Sequence, residues 1–301
     1  MSGKKKEKMQ MMNLEKLKKG KSINELLEFG IINFDKPDRM TSFDVADYVR
    51  RKLKLRKTSH FGTLDPGVTG VLPIALNRAV KLTGFFIGED KEYTGIMRIH
   101  ELVSVEKIEE AIKKGFIGKI MQLPPVKSRV KRQEREREIK KFEILKQEGK
   151  NISFIVECQG GTYIRKLVHD LGEEMGIGAH MIQLRRIRAG IFKEAEMIKR
   201  EDFEKAVEEY EKGNDKKLRE IIIPAEIIAE VYPSVGIKEE CVDKLLHGAP
   251  IDNKFLIKRQ KIEKDKVVCI FAEKKFIGMY KIVNEGNVFA RPEFVLQPIK
   301  E

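Results

Sequence analysis

The residues best placed to do chemistry lie in one stretch, His60-Phe61-Gly62-Thr63-Leu64-Asp65-Pro66-Gly67-Val68-Thr69-Gly70. Glycines and a proline frame a single carboxylate. Pro66 pushes the backbone of Asp65 toward an extended shape. Pro66-Gly67 suits the centre of a type II turn, with glycine at positive φ. The apolar run Val71–Leu76 predicts a buried strand despite Pro73. An acid on a stiff turn at a strand entrance can be a reactive group. It can equally bond its own backbone, the commoner use of aspartate in such a turn. Local chemistry leaves both readings open.

Other chemistries lack their residues. The five histidines show no metal-ligand spacing and there is no HExxH. Cys158, Cys241 and Cys269 form no CxxC pair, which argues against a zinc site or a disulfide framework and for reduced, buried thiols. No Ser-His-Asp or Cys-His arrangement can be picked out. Ordinary glycoside hydrolysis needs a second carboxylate to protonate the leaving oxygen.

The elements that must position this acid can be read in order. A short helix is expected at Ser22–Phe29, with Ser22 and Glu25 forming a capping box. Ile31–Phe34 reads as a strand. Thr41 or Ser42 caps a helix from about Phe43 to Leu53, with Phe43, Val45, Ala46, Val49 and Leu53 on one face. After the Asp65 strand a helix is expected over Ala79–Phe85, then a strand from Lys91 to His100. Ser104–Gly115 reads as an amphipathic helix capped by Ser104. Ile152–Gln159 alternates as a strand and leads through Gly160-Gly161 into a helix at about Lys166–Met175. Glu201–Arg219 is a charged helical stretch broken near Gly213-Asn214. Beyond Tyr232-Pro233 the character changes to strands at Val267–Ala272, Phe276–Val283 and from Val288.

With 301 residues, 41% of them hydrophobic, the chain can build one large domain and a small one. The net charge of +13 points to a polyanion partner, although a merely basic surface would give the same number. The positive charge is concentrated in residues 1–21, in Arg50, Arg51, Lys52, Lys54, Arg56 and Lys57, and in residues 127–141. The N-terminus lacks the apolar core of a signal peptide, and no apolar stretch approaches a membrane span. A soluble, cytoplasmic protein with no membrane partner is expected.

Gly62-Thr63-Leu64-Asp65-Pro66, followed by Val68-Thr69-Gly70-Val71-Leu72-Pro73, closely resembles the catalytic motif of the TruB/dyskerin family of pseudouridine synthases. Lys36-Pro37 with Thr41-Ser42, and Lys91-Glu92-Tyr93, match further family motifs. So do Gly161-Thr162-Tyr163-Ile164-Arg165, Asp170-Leu171-Gly172 and Leu184-Arg185-Arg186. Gly178-Ala179-His180-Met181 has the wording of the archaeal and eukaryotic branch. Pro124-Pro125 with Ser128 resembles a family segment in which Arg129 replaces alanine. Leu246-His247-Gly248-Ala249-Pro250 and the strands after it resemble a PUA domain. Phe61 stands where a small hydroxylated residue is usual, and Ser59 where glycine often sits. Arg39-Met40 replaces a Gly-containing pair. A differently shaped loop, the docking of a partner, or an altered hold on the target would account for these departures.

The resemblance implies an α+β fold. A basic flexible arm over 1–21 would precede a mixed-sheet pseudouridine synthase domain over 22–230 and a small PUA-like, RNA-binding β-barrel over 231–301. It implies Asp65 as the catalytic nucleophile, Arg165 as its ion-pair partner, and Tyr163 beside the target base, ready to take the proton released from the ring carbon. Tyr93, His60, Lys36 and Leu184 would complete the substrate site. No redox step occurs, so no cofactor or metal is implied. The uridine must be flipped out of its stack to reach the acid. The partners implied are RNA (tRNA, rRNA or an H/ACA guide RNA) and the small H/ACA ribonucleoprotein proteins. A stand-alone enzyme acting on the tRNA T-loop is the alternative within this class. A catalytically inactive RNA-binding scaffold is the alternative outside it.

Overall fold

The computed structural model describes residues 14–124 and 131–298. The chain forms two compact units. One comprises Ile32–Ala75 and Leu82–Ile221, and the other the described parts of Met1–Ile31, Leu76–Lys81 and Ile222–Glu301. The helices are α1 (Leu14–Lys19), α2 (Ile23–Glu28), α3 (Ser42–Lys52), α4 (Thr83–Ile87), α5 (Val105–Gly115), α6 (Ile164–Glu174), α7 (Arg200–Glu211), α8 (Lys216–Ile221) and α9 (Val242–Leu246). The strands are β1 (Gly30–Lys36), β2 (Thr58–His60), β3 (Val68–Leu76), β4 (Lys91–Ile99), β5 (Gly118–Gln122), β6 (Arg135–Glu148), β7 (Asn151–Cys158), β8 (Ala179–Ala189), β9 (Phe192–Lys193), β10 (Ile223–Pro224), β11 (Ser234–Gly236), β12 (Ile251–Asp252), β13 (Val267–Ala272), β14 (Lys275–Glu285) and β15 (Val288–Val295).

The larger unit is built on a mixed sheet in the order β1-β3-β8-β4-β7-β6-β5, with β2 beside β3 and β9 beside β8. β3 and β8 run parallel, and β4 is antiparallel to β8 and β7. This is the α+β class with a mixed sheet that the sequence implies. Two rows of residues cross its centre. Val68 faces Leu184, which faces Gly95, and Gly70 faces Arg186, which faces Tyr93. The close approach of β3 to β8 requires Gly70. Its φ is +101°, and a Cβ there would lie 2.2 Å from the Arg186 carbonyl oxygen.

Most elements fall where the pattern of apolar residues and caps puts them. Thr41 caps α3 with a complete capping box to Asp44, and Val45, Ala46, Val49 and Leu53 are buried. Phe43 breaks that expectation, being 72% exposed. The buried stripe of α3 runs Ser42, Val45, Ala46, Val49, and Phe43 sits a full 100° turn step off it. The helix expected over Ala79–Phe85 is instead a 3-10 segment, Asn77–Leu82, followed by α4. Ser104 holds the N-cap position of α5 but makes no side-chain capping bond. Phe61 is not a docking residue. It is 1% exposed and stacks on Phe86 at 4.6 Å, with Phe192 at 5.9 Å.

The smaller unit carries a five-stranded sheet in the order β11-β13-β14-β15-β12. Its core gathers Val235, Leu245, Val268, Ile270, Ile277 and Phe289. This sheet has the character of a partly closed barrel and is consistent with a PUA-like fold. In the same unit, α2 keeps the Ser22–Glu25 capping box, and Phe29 stacks on Phe276 at 5.5 Å. The basic segment 1–21 lies outside the described residues as far as residue 13. From Leu14 it is ordered as α1, where a flexible arm is expected, and Lys21 meets buried Glu226 at 2.7 Å. The three cysteines are free and buried. Burial pushes the Cys158 and Cys269 thiols up to about 12, which makes them poor nucleophiles. Among the described residues no helix is long and apolar enough to cross a membrane.

Candidate active site

Asp65 sits at the start of a closed turn. The Val68 N–H donates to the Asp65 carbonyl at 3.0 Å, across Pro66-Gly67. Gly67 does not take positive φ, so the turn is not type II. The Asp65 carboxylate is 55% exposed at the surface of the larger unit.

The turn is held from beneath by a buried lysine. Lys36, at the end of β1, is fully buried, and its ammonium donates to the carbonyls of Pro37 at 3.0 Å, Pro66 at 2.9 Å and Val68 at 2.7 Å. Each of its three protons therefore meets an oxygen, two of them in the Asp65 turn. Burial lowers the Lys36 pKa, an effect opposed by Asp38 and Asp65. Ser42 makes a second clamp. Its Oγ accepts from the Leu64 N–H at 2.8 Å and donates to the Leu64 carbonyl at 3.1 Å. The Arg39 N–H adds a third, donating to the Pro66 carbonyl at 3.0 Å. Arg39 holds φ +65°, the conformation glycine takes without strain, so the loop keeps a glycine-like bend without a glycine.

The second motif arrives on α6. Ile164, Leu167, Val168 and Leu171 bury one face of this helix, which leaves Arg165 on the open side of its first turn. The Arg165 Nη1 lies 3.3 Å from the Asp65 Oδ2, a single contact with both side chains largely exposed. Tyr163 precedes the helix in an extended conformation. Gln122, buried at the end of β5, fixes it by a reciprocal pair of bonds. The Tyr163 N–H donates to the Gln122 Oε1 at 3.0 Å, and the Gln122 Nε2 donates to the Tyr163 carbonyl at 3.2 Å.

Below the turn lies a buried, strongly cationic layer. Arg186 is 1% exposed and donates to the Val71 carbonyl at 2.7 Å and the Gly62 carbonyl at 3.1 Å, bracketing the Asp65 stretch. The Tyr93 side chain is its neighbour across the β8–β4 pair and favours its charged form. Burial lowers the Arg186 pKa and raises that of Tyr93. Lys91 donates to the Ile87 carbonyl at 2.7 Å and to that of Glu89, and burial lowers its pKa to about 8. Burial and the nearby Arg186 charge both lower the His60 pKa. Its Nδ1 is buried and makes no hydrogen bond among the described residues.

Of the residues expected at the site, Asp65 and Arg165 come into direct contact. Tyr93 and Leu184 sit on the adjacent strands β4 and β8, each 8% exposed. Lys36 lies under the turn with its protons committed to carbonyls. Tyr163 stands two residues before Arg165. Sequence reasoning gave no role to Gln122 or Arg186. Gln122 is the buried end of a largely exposed β5 and Arg186 has half-buried neighbours on β8, and spacing does not show what such groups bind. The three basic clusters are partly neutralised. Among the described residues Lys21 pairs with Glu226, Arg50 and Arg51 both with Asp47, Lys54 with Glu211, Lys140 with Asp90 and Lys141 with Glu143. Residues 125–130, and with them Pro125, Ser128 and Arg129, lie outside the described residues.

The chain has relatives among known proteins. Residues 50–164 match the model of the TruB family pseudouridylate synthase N-terminal domain, and residues 165–230 that of the tRNA pseudouridylate synthase B C-terminal domain. The chain is 41% identical over 254 residues to a probable tRNA pseudouridine synthase B of Methanopyrus kandleri, covering 84% of this chain and 75% of that one. It is 42% identical over 254 residues to its counterpart from Archaeoglobus fulgidus, with 84% and 78% covered. Among solved structures, a chain of a Cbf5-Nop10-Gar1 complex superposes with a TM-score of 0.86 at 34% identity, over 93% of this chain and 89% of that one. A chain of an H/ACA RNP bound to a substrate RNA containing 2'-deoxyuridine gives 0.84 at 33% identity, over 93% and 89%. With this fold, these motifs and these relatives, the chain belongs to the TruB family and is an RNA pseudouridine synthase.

Proposed function

We propose that Asp65 is the nucleophile of this reaction and that guide RNA chooses its target. The observation that carries the first part is the contact between Asp65 and Arg165, 100 residues apart in the chain and joined at 3.3 Å. Asp65 forms a covalent adduct with the nucleoside and the bond between base nitrogen and sugar breaks. The freed uracil turns and rejoins the sugar through carbon. The ring carbon then loses its proton to Tyr163, and Asp65 is released. Arg165 holds the carboxylate in line, Tyr93 supports the base from β4, and Leu184 packs beside it. Lys36 acts on substrate through the turn it holds. The scaffold alternative has no use for this arrangement of an exposed acid on a triply clamped turn.

The Tyr163 role makes a separate prediction. Tyr163→Phe should bind RNA normally yet stall after the glycosidic bond is cut, because the hydroxyl that takes the proton is gone. A single-turnover assay with quenched samples should then show substrate consumed and pseudouridine delayed. Wild-type rates for the Phe variant would remove Tyr163 from the proton step.

The relatives named for tRNA and the structures titled for H/ACA complexes point to two substrates. A guide-dependent enzyme takes sequence choice from base pairing, so the protein itself has only to read RNA shape and phosphates, as a chain of net charge +13 can. Residues 231–301 would serve as its RNA-binding module. The isolated protein should modify the tRNA T-loop uridine slowly and in a salt-sensitive way. Adding an H/ACA guide RNA and the small partner proteins should give faster modification at the uridine the guide specifies. The test supplies two guides that differ only in their pairing segments and maps the product. If the modified position is the same with both, or if tRNA is modified at full speed by the protein alone, the stand-alone reading replaces this one.

A further inference from the structure

We propose that Phe43 and Arg39 form a subsite for the nucleotide next to the target uridine, the Phe43 ring stacking on its base and the Arg39 guanidinium meeting its phosphate. The proposal rests on Asp65 being the reacting group.

Phe43 is 72% exposed, although burying such a ring stabilises a protein by about 1.5–3 kcal/mol. It lies off the buried stripe of α3, so packing does not explain its identity. Its position is nevertheless rigid. The Thr41–Asp44 capping box fixes the first turn of α3 through bonds of 3.0 and 2.9 Å. The Ser42 Oγ ties the residue before Phe43 to Leu64, the residue before Asp65. Arg39 is tied to Pro66, the residue after Asp65. Residues 39–43 and 64–66 are thus joined on both sides of the acid.

Arg39 adds a second observation. A non-glycine residue at φ +65° is strained by about 1–2 kcal/mol, and such strain clusters at functional positions. Its side chain is 93% exposed, and its ion pair with Asp38, at 3.6 Å, is open to solvent. Such a pair contributes little and yields readily to a phosphate.

The chemistry of the reaction supplies the occupant. A uridine turned out of its stack leaves its neighbour with an uncovered face. An aromatic ring on the rim restores that stacking for any base, and an adjacent arginine neutralises the backbone that has been bent. A protein partner's apolar side chain would also fit an exposed phenylalanine, but it would not use the exposed cation four residues earlier.

The test uses the full-length chain, with partners and guide if the guide exchange shows them to be needed. Two substrate RNAs carry 2-aminopurine, one on the 5' side and one on the 3' side of the modified uridine. Phe43→Ala should raise KM roughly tenfold, with kcat little changed, as expected for loss of one stacked base. One of the two RNAs should lose its 2-aminopurine fluorescence change with Phe43→Ala and regain it with Phe43→Tyr. Arg39→Gln should also raise KM and lower the salt slope of binding by about one contact. Unchanged KM and fluorescence in Phe43→Ala would overturn the proposal. Loss of partner-protein binding with RNA KM unchanged would overturn it too, and would make the ring a protein contact. If Asp65→Asn is inactive while Phe43→Ala behaves as wild type, only the subsite is wrong. An active Asp65→Asn would remove the reading beneath it.

Discussion

Asp65→Asn is expected to lower turnover by roughly 10⁴-fold or more, the scale on which loss of a nucleophile acts in other enzymes. RNA binding should hardly change. Asparagine keeps the size of the side chain, and the turn does not depend on the carboxylate. The bond that closes it runs from the Val68 N–H to the Asp65 backbone carbonyl, and the clamps from Lys36, Ser42 and Arg39 all reach backbone atoms of Pro66, Val68 and Leu64. The substitution removes the negative charge that faces Arg165, and that ion pair is largely exposed and contributes little to stability. Release of the ring hydrogen measures turnover, a gel shift measures binding, and a thermal melt checks the fold. Turnover within a few fold of wild type would remove Asp65 from the mechanism and revive the scaffold reading.

Lys36→Met is expected to have the second largest effect, by a different route. Methionine fills much of the same volume but offers no donor. The carbonyls of Pro37, Pro66 and Val68 then lose the ammonium that joins them. A buried carbonyl left without a donor costs about 1–3 kcal/mol. Relief of the ammonium's burial offsets part of that, so the protein should fold with a lowered melting temperature. The larger consequence falls on the turn. Pro66 and Val68 bracket Gly67 directly after Asp65, and a shift of about 1 Å in a reacting group can cost 10²-fold in rate. We expect kcat to fall about 10²-fold with KM little affected, because Lys36 is buried and acts through the backbone. Steady-state kinetics with circular dichroism on the same samples checks this. A Lys36→Met enzyme with normal kcat would show that the turn holds itself. A raised KM with normal kcat would place Lys36 in contact with RNA.

The departures from the family pattern separate into kinds that spacing does not distinguish. Phe61, one of those departures, and Phe43, in the first turn of α3, are both phenylalanines near the acid in the sequence. Phe61 directly follows β2, and its own ring meets Phe86 and Phe192, so it is absorbed into the core. The helix period puts Phe43 about 200° from Val45 wherever the helix is taken to start, so its ring turns outward while Val45, Ala46 and Val49 pack inward. Arg39 shows the same limit in the backbone. A non-glycine residue in a loop predicts a changed shape, yet the bonds around it hold it in the conformation a glycine would adopt.

Local rules were enough for much of this protein. Capping boxes at Ser22 and Thr41, the buried run after Asp65, the alternation in β4 and β7 and the amphipathic face of α6 depend on residues a few positions apart, and physics acting over that range is written in order along the chain. The same holds for Asp65 on its proline turn and for Arg165 at the head of a helix. What only the tertiary structure decided are the partners of buried polar groups. The resemblance gives Lys36 a place in the substrate site, and the fold buries its ammonium among three carbonyls that lie up to 32 residues away. Arg186 reads in sequence only as the last residue of the Leu184-Arg185-Arg186 motif. The parallel pairing of β3 with β8 and the antiparallel pairing of β8 with β4 place its guanidinium between Val71, Gly62 and Tyr93. A buried cation must be satisfied by whatever oxygens the fold brings to it. Which oxygens those are depends on strand register and on long-range packing, and neither is encoded in the neighbours of the residue itself.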